Sequence, residues 1–488
     1  MTTLTTQGTT DDASTLLLNG VWRAAEASYE RFDPSQPDRS AGSYALATPE
    51  HVERAYDAAS AAQPSWAATP APIRADVLRR AADLLEGRLE QAARRLTYDM
   101  GKAVRDARAE VLRSAAILRY FAGELLQPSG ETYPSSDPSV MLFTIEEPLG
   151  VVCAITPWNF PFAIPTWKLA PALGFGNAVV WKPAESASGS AVLLAEVLVA
   201  AGLPAGVLNL VTGKGRTISS SLTGDSRLAV LTFTGSNLVG TQLRRAVADR
   251  NVKVQLELGG KNPAVVLADA DLEDAAAQIV RGAMLSTGQR CTATSRVYVE
   301  RAVAPQLREL LRQQVEQLVV GDPFDEVTDV GPLASAEQRD TVASYLQVAR
   351  DEGAEIVVGG SIDSPGGCFV APTVVAGVRP DSVLVREEIF GPVLVVEEVD
   401  DFDAALLAAN DTEFGLSSAV FTRDLGKAMA FVRRTRSGLV HVNRETASVE
   451  PHVPFGGVKG SSSMHREQGK AARTFFTTTK TVYLRTPS

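Results

Sequence analysis

The chain's 488 residues are enough for about three structural units, and a core of that size needs no metal or disulfide staple. Apolar residues make up 45% and charged ones 21%, which excludes a disordered, collagen-like or coiled-coil chain. Forty-seven basic residues against 57 acidic ones give a net charge of −10, so neither nucleic acid nor an anionic membrane surface is an expected partner.

The three cysteines, Cys153, Cys291 and Cys368, are odd in number and widely spaced, so no disulfide framework is expected and a reducing cytoplasm fits. His51, His441, His452 and His465 are scattered, none at zinc-ligand spacing from a cysteine, so no metal is expected. The opening MTTLTTQGTTDD reads as a loose polar tail and not as a signal peptide. No apolar run reaches the ~18 to 20 residues that a membrane span requires.

In chain order, the segment from about Pro49 to Leu126 predicts three helices, with Leu and Ala recurring at three- and four-residue steps among Arg and Glu. QPSGETYPSSDPS (127–139) is a connection. SVMLFTIEEP (139–148) alternates like an exposed strand, and GVVCAI (150–155) reads as a strand covered on both faces. From there to about Gly260 strands alternate with helices: NAVVWKP, then 188–202; GVLNLVT, then a short helix; LAVLTFTGS, then 237–249; and VKVQLEL. A second series runs from about Pro263 to Asn443 through ATSRVYVE, PVLVVEEV, SSAVFT and GLVHVN. The alternation predicts an α/β chain with doubly wound parallel sheets. FFTTTKTVYL (475–484) reads as a lone terminal strand suited to another sheet edge.

Several short strings carry chemistry. Cys291 in GQRC has polar neighbours, which suits a nucleophile, although a buried cysteine is the commoner state. Asn159 in PWNFP follows a buried strand, where open α/β sheets place ligands; a turn asparagine is the bland alternative. Glu257 ends an apolar strand before Gly259 and Gly260, so its carboxylate should be poorly solvated and its pKa raised; a salt bridge to Lys261 or a nearby Arg is the rival. A G-x-G-x-x-G fingerprint is absent, since GKGRTI (213–218) has Ile218 where the third glycine belongs.

ITPWNFP (155–161), FTGS (233–236) with Gly240, LELGGK (256–261), GQRC (288–291), EEIFGP (387–392) and PFGGVK (454–459) resemble the aldehyde dehydrogenase superfamily. They stand in that family's order, with 34 residues from Glu257 to Cys291, and the resemblance runs from roughly Leu18 to the end. It implies NAD- or NADP-dependent oxidation of an aldehyde through a thiohemiacetal and a thioester on Cys291. Asn159 and the Cys291 N–H would face the oxyanion, Glu257 would activate the hydrolytic water, and Lys168 would help relay protons.

The resemblance also implies that Ile155, Thr156, Pro157, Trp158, Lys182, Glu185, Gly215, Phe233, Gly235, Ser236, Leu258, Glu388 and Phe390 hold the cofactor. Glu185 favours NAD because a carboxylate repels a 2′-phosphate, while Lys182 and nearby serines leave NADP open. Trp167, Phe160 and Phe455 would line the aldehyde tunnel. The run from Gly438 to Leu484 and the run STGQRCTATSRV are most similar to the 2,5-dioxovalerate (α-ketoglutarate semialdehyde) branch. That substrate carries a carboxylate, for which Arg290, Arg444, Arg113 and Arg119 are candidates. Two departures from the family's pattern are Met284, seven residues before Cys291, and the stretch Ser461–Glu467, one residue longer than the common form.

The resulting expectation is a nicotinamide-dinucleotide-binding domain of residues 1–127 and 148–258 and a catalytic domain of 259–473, of which 444–473 can pack back on the first. A small β oligomerisation arm is expected from 128–147 and 474–488, in a homodimer or homotetramer. Three rivals stay open: a dehydrogenase that acylates coenzyme A, against which Glu257 argues; a thiol esterase, which needs a histidine near Cys291, His441 being nearest in sequence; and a non-catalytic binding protein.

Overall fold

Four short strands open the chain: β1 (Leu16–Leu18), β2 (Val21–Arg23), β3 (Ser28–Asp33) and β4 (Gln36–Ala45). None was expected, because β1 and β2 have three residues each and β3 and β4 carry no apolar alternation. The computed structural model describes residues 15–362 and 366–485, so the polar tail read from the first dozen residues lies outside it.

Helices α1 (Pro49–Ala68), α2 (Ala71–Gly87), α3 (Leu89–Met100) and α4 (Val104–Glu124) follow, four where three were expected. The extra break falls at Arg88, whose φ of −109° and ψ of 22° end α2 and open α3. Helix α3 stops at Gly101, which takes the left-handed conformation (φ 76°) that favours glycine.

Then come β5 (Thr132–Tyr133), β6 (Val140–Pro148), β7 (Val151–Thr156), α5 (Ala163–Gly174), β8 (Ala178–Pro183), α6 (Ser188–Ala200) and β9 (Leu208–Leu210). The first α/β series ends with α7 (Gly215–Gly224), β10 (Leu228–Thr234), α8 (Asn237–Ala246) and β11 (Lys253–Glu257). These strands form one sheet in the order β11-β10-β7-β8-β9-β1-β2, parallel except where β1 and β2 close the edge. Strands β7 and β10 are neighbours although β8 and β9 intervene in sequence, so the winding reverses between them. Ligands of open α/β sheets bind beyond the carboxyl ends of the strands at such a reversal.

The second series holds β12 (Asn262–Val266), α9 (Leu272–Met284), β13 (Thr294–Glu300), α10 (Ala304–Glu316), α11 (Ala336–Asp351), β14 (Glu355–Val358), β15 (Thr373–Ala376) and α12 (Val383–Arg386). It continues with β16 (Val393–Val399), α13 (Phe402–Asn410), β17 (Ser417–Phe421), α14 (Leu425–Arg434) and β18 (Leu439–Val442). Its sheet runs β14-β15-β16-β13-β12-β17-β18, with only β14 antiparallel. The two parallel-rich sheets are the α/β architecture expected from the alternation. Strands β12, β15 and β17 are buried at every residue, as continuous apolar runs require.

Helix α15 (Gly469–Phe476) and β19 (Thr477–Arg485) close the chain. The terminal strand is not alone: it pairs antiparallel with β6 over nine residue pairs, in a small sheet ordered β19-β6-β5. The aromatic pair Phe475–Phe476, read as part of the strand, instead ends α15 and is buried against the helical layer.

Candidate active site

The link from β11 to β12 is only four residues, 258–261, so the carboxyl edge of the first sheet meets the amino edge of the second. Two cavities open at this seam. One, of about 250 Å³, is lined by Pro157, Trp158, Asn159, Gly235, Ser236, Leu258, Glu388 and Phe390, together with Cys291. The other, of about 280 Å³, is lined by Phe160, Trp167, Phe455, Arg113, Arg290 and Arg444, again with Cys291. Cys291 is thus common to both.

Three consecutive residues in the left-handed region, Ser286 (φ 53°), Thr287 (φ 56°) and Gly288 (φ 66°), turn the chain into Cys291. For a β-branched residue such as Thr287 this is costly, and such strain gathers where a side chain must be aimed. The Cys291 carbonyl accepts from Asn262 Nδ2 at 2.8 Å. Burial raises the thiol's pKa well above its ordinary value, and the Glu388, Glu257 and Glu467 charges push the same way.

Asn159 is 3% exposed and donates one amide hydrogen to the Gln289 carbonyl at 3.0 Å, which leaves the second for another acceptor. Glu257 Oε2 accepts from the Ser462 hydroxyl at 2.6 Å, while Oε1 is buried without a partner. Among the described residues neither Lys261 nor any Arg bonds this carboxylate, so the salt-bridge alternative does not hold there. Burial raises its pKa well above the carboxylate range, and the Glu467 charge adds to this. Ser462 lies in the segment singled out for its length. Residues 461–463 run along β11, with Leu258 N–H donating to the Ser461 carbonyl and Ser463 N–H to that of Leu256. Gly456 closes over the carboxylate: a Cβ there would stand 2.9 Å from Glu257 Oε1.

Lys168 lines neither cavity. It is buried in α5, paired with Glu467 and hydrogen-bonded to Thr232 Oγ1 at 2.9 Å. Trp167 and Phe455 stack with ring centroids 5.5 Å apart in the second cavity, and Trp158 meets Phe390 edge-on at 5.5 Å in the first.

The first cavity continues along the carboxyl edge of the first sheet. Ser236 caps α8, bonding Val239 N–H through its hydroxyl and Gly240 N–H through its carbonyl. The leading N–H groups of Asn237 and Leu238 remain for an anion. Lys182 and Glu185, further along at β8, make no side-chain hydrogen bond among the described residues, and a Cβ on Gly215 would lie 3.6 Å from the Lys182 ammonium. Glu388 Oε1 accepts from Gly260 N–H at 2.8 Å, and burial lifts its pKa to about 7.

Three residues expected to face the cofactor are turned elsewhere. The Phe233 ring packs beneath Gly235 in the core, Ile155 packs against the same core, and the Thr156 hydroxyl accepts from Trp181 Nε1 at 2.9 Å. Arg119 is also misplaced as a tunnel cation. Six residues beyond Arg113, it is rotated about 240° around α4, onto the outer surface, where it pairs with Asp83 and Glu86. Three lining residues had no signal in the sequence: Gln338 on α11, which holds the Ile389 and Phe390 carbonyls at 3.2 and 3.0 Å; Arg281, 3.7 Å from Glu445; and Glu110.

His441, the histidine an esterase would need, bonds the Ser448 carbonyl at 3.0 Å and lines neither cavity that contains Cys291. Cys153 and Cys368 are buried. Among the described residues no helix is long and apolar enough to cross a membrane.

Residues 22–482 match the model of the aldehyde dehydrogenase family. The chain is 42% identical to the α-ketoglutaric semialdehyde dehydrogenase of Bacillus subtilis over 474 residues, covering 96% of this chain and 97% of that one. Among solved structures it is similar to an NAD-dependent aldehyde dehydrogenase from Sinorhizobium meliloti, with a TM-score of 0.94, 36% identity, and coverage of 97% and 95% of the two chains. It is also similar to a betaine aldehyde dehydrogenase from Staphylococcus aureus in complex with NAD+, with a TM-score of 0.93, 32% identity, and coverage of 96% and 94%.

Proposed function

The chain belongs to the aldehyde dehydrogenase family, and we propose that it oxidises α-ketoglutarate semialdehyde (2,5-dioxopentanoate) to α-ketoglutarate through a thioester on Cys291. The observation that carries this reading is that Cys291 lines two cavities, one suited to a dinucleotide and one walled by aromatic and charged side chains. NAD is the cofactor: free N–H groups at α8 suit its pyrophosphate, and Lys182, Glu185 and Glu388 suit its riboses. When bound, the nicotinamide supplies the acceptor for the hydride.

The chain's own residues do the rest. Cys291, once deprotonated, attacks the aldehyde carbon. The second amide hydrogen of Asn159 and the Cys291 N–H donate to the oxygen as it becomes negative; losing one such donor typically costs ~100- to 1,000-fold in rate. Loss of hydride leaves a thioester. Glu257, its pKa raised by burial, takes one proton from water as the water attacks the acyl carbon; the C–S bond breaks and the second water proton passes to sulfur, so that Cys291 returns as a thiol and the product leaves as a carboxylate. The buried Lys168–Glu467 pair beside Glu257 provides the onward route for the first proton. Hydrolysis by this route argues against transfer to coenzyme A.

The substrate assignment rests on charge. Among the described residues Arg113 and Arg444 form no ion pair, and Arg290 reaches Asp106 only at 4.0 Å. Arg113, Arg281, Arg290 and Arg444 line this tunnel with Asp106, Glu110, Glu445 and Glu450; Glu110 is taken by Lys102 and Glu445 faces Arg281, so Arg113 and Arg444 remain to meet a distant substrate carboxylate. Succinate semialdehyde, one carbon shorter, is the alternative, followed by a broad range of aliphatic and aromatic aldehydes. The free thiols suit a reducing compartment such as the cytoplasm.

The test compares kcat/KM for α-ketoglutarate semialdehyde, succinate semialdehyde, a neutral aliphatic aldehyde and benzaldehyde, with NAD and with NADP. Arg113→Leu and Arg444→Leu should each lower kcat/KM for the carboxylated substrates about tenfold or more, the worth of a hydrogen bond to a charged group, and spare the neutral ones. Equal losses for both classes would remove the carboxylate from the assignment.

A further inference from the structure

One buried ion pair has no part in the chemistry above, yet every bond it makes beyond the pair goes to a single stretch of the site. Lys102, 1% exposed, donates to Glu110 Oε2 at 2.5 Å and to the Asn159 carbonyl at 2.9 Å. Its ammonium also lies 3.7 Å from the centroid of the Phe160 ring, close enough for a cation–π contact. On the other side, Glu110 Oε1 accepts from the N–H groups of Phe162 at 2.9 Å and Ala163 at 3.2 Å. Of the five residues 159–163, only Pro161, which has no N–H, is not held.

The arrangement answers a local deficiency. Helix α5 begins at Ala163 behind Phe162, a residue with no side chain able to cap it. Its first amides need an acceptor, and the carboxylate of α4 supplies one, with a charge that suits the positive end of the helix. Lys102 is itself fixed, because Gly101 before it is left-handed and lies against Pro332, where a Cβ would come within 2.5 Å. A charge pair this deep persists only when its remaining donors and acceptors are satisfied, and here the turn that carries Asn159 satisfies them.

We propose that Lys102 and Glu110 are positioning residues for the oxyanion site, holding Asn159 and the Phe160 wall where the aldehyde oxygen must lie. This rests on the reading of Asn159 given above. A displacement of about 1 Å in such a donor can cost about a hundredfold in rate.

The experiment uses the full chain with NAD and the aldehyde of highest kcat/KM. In the double variant Lys102→Met/Glu110→Gln no charge is left buried alone, and the glutamine oxygen still accepts from α5. The pre-steady-state burst of reduced cofactor is expected to slow at least about tenfold, with the NAD Kd within about twofold and KM moving less than kcat. Asn159→Ala is then made in both backgrounds. If the pair acts through Asn159, this second substitution costs much less in the double variant than in the wild type, since contacting groups are not additive. A folded double variant with the wild-type burst overturns the proposal, as does an equal cost of Asn159→Ala in both backgrounds. Should the double variant not fold, Glu110→Gln alone carries the same comparison. The wild-type burst, measured alongside, and its loss in Asn159→Ala report on the underlying reading separately.

Discussion

Glu257 has two unlike oxygens. Oε1 is buried with no partner, while Oε2 is held by Ser462, whose own oxygen accepts from Gly457 N–H at 2.6 Å, so the hydroxyl proton points at the carboxylate. Burial and Glu467 raise the pKa of Glu257, and the Ser462 hydrogen bond opposes them. Ser462→Ala removes that opposition, so the pKa rises further. A base works only when deprotonated, so the acid limb of the thioester-hydrolysis rate should move to higher pH, while the burst that precedes hydrolysis keeps its rate. Single-turnover pH profiles check this, and an unmoved acid limb would count against Ser462 as the group that tunes the base. The neighbourhoods of Cys291, Asn159 and Glu257 were legible in the sequence because each stands beside a glycine, a proline or a strand end. Ser462 and Gln338 were not, because their partners lie 205 and about 51 residues away and no local pattern marks the meeting. Arg119 was misread for a related reason: Arg113 and Arg119 look alike in sequence until their phase on α4 separates them.

The loop that presents Cys291 is an element whose shape depends on one glycine. At Gly288 (φ 66°) a Cβ would be strained by the left-handed backbone and would stand 2.3 Å from the Gly391 carbonyl. Neither partner is the loose end of a side chain, so Gly288→Ala must push the Cys291 loop and the loop of Glu388 and Phe390 apart. A burst rate lower by about a hundredfold is expected, with weaker NAD binding, since the moved loop holds Glu388; stopped-flow and titration measure the two. A variant that keeps both would show that the contact yields cheaply. At this same scale the strands of the parallel sheets were easy to read, because covered strands are continuous apolar runs between turn residues. Boundaries set by tertiary contacts were not. The joint between α2 and α3 lies inside an unbroken amphipathic pattern, the strands β1 and β2 are three residues each, and Phe475–Phe476 suit a helix end and a strand equally well.

On the scale of the whole molecule, the small sheet is the part that its own chain covers least. Strand β19 pairs with β6 on one side only, and among the described residues no strand covers its other edge, where beyond Thr477, whose carbonyl meets Lys253 Nζ at 3.1 Å, the backbone is open to a further strand. Apolar side chains stand out from it as well: the cross-strand pair Met141 and Leu484 is 59% and 54% exposed, and Tyr483 is 73% exposed. A long edge strand with apolar neighbours promotes aggregation unless another chain covers it. The second sheet ends on β18, a half-buried edge strand whose last residue, Val442, is 39% exposed. Two complementary edges on one chain are what a symmetric dimer can use, each arm adding to the other's sheet. The wild-type protein should therefore sediment as a dimer or a tetramer, and Met141→Lys/Leu484→Lys should shift it towards the monomer. Folding of the variant should be retained, because neither residue touches a core. Sedimentation velocity across a range of concentrations decides the matter: a wild-type chain that stays monomeric at every concentration would leave the arm without an occupant and assign its exposed side chains to something other than self-association.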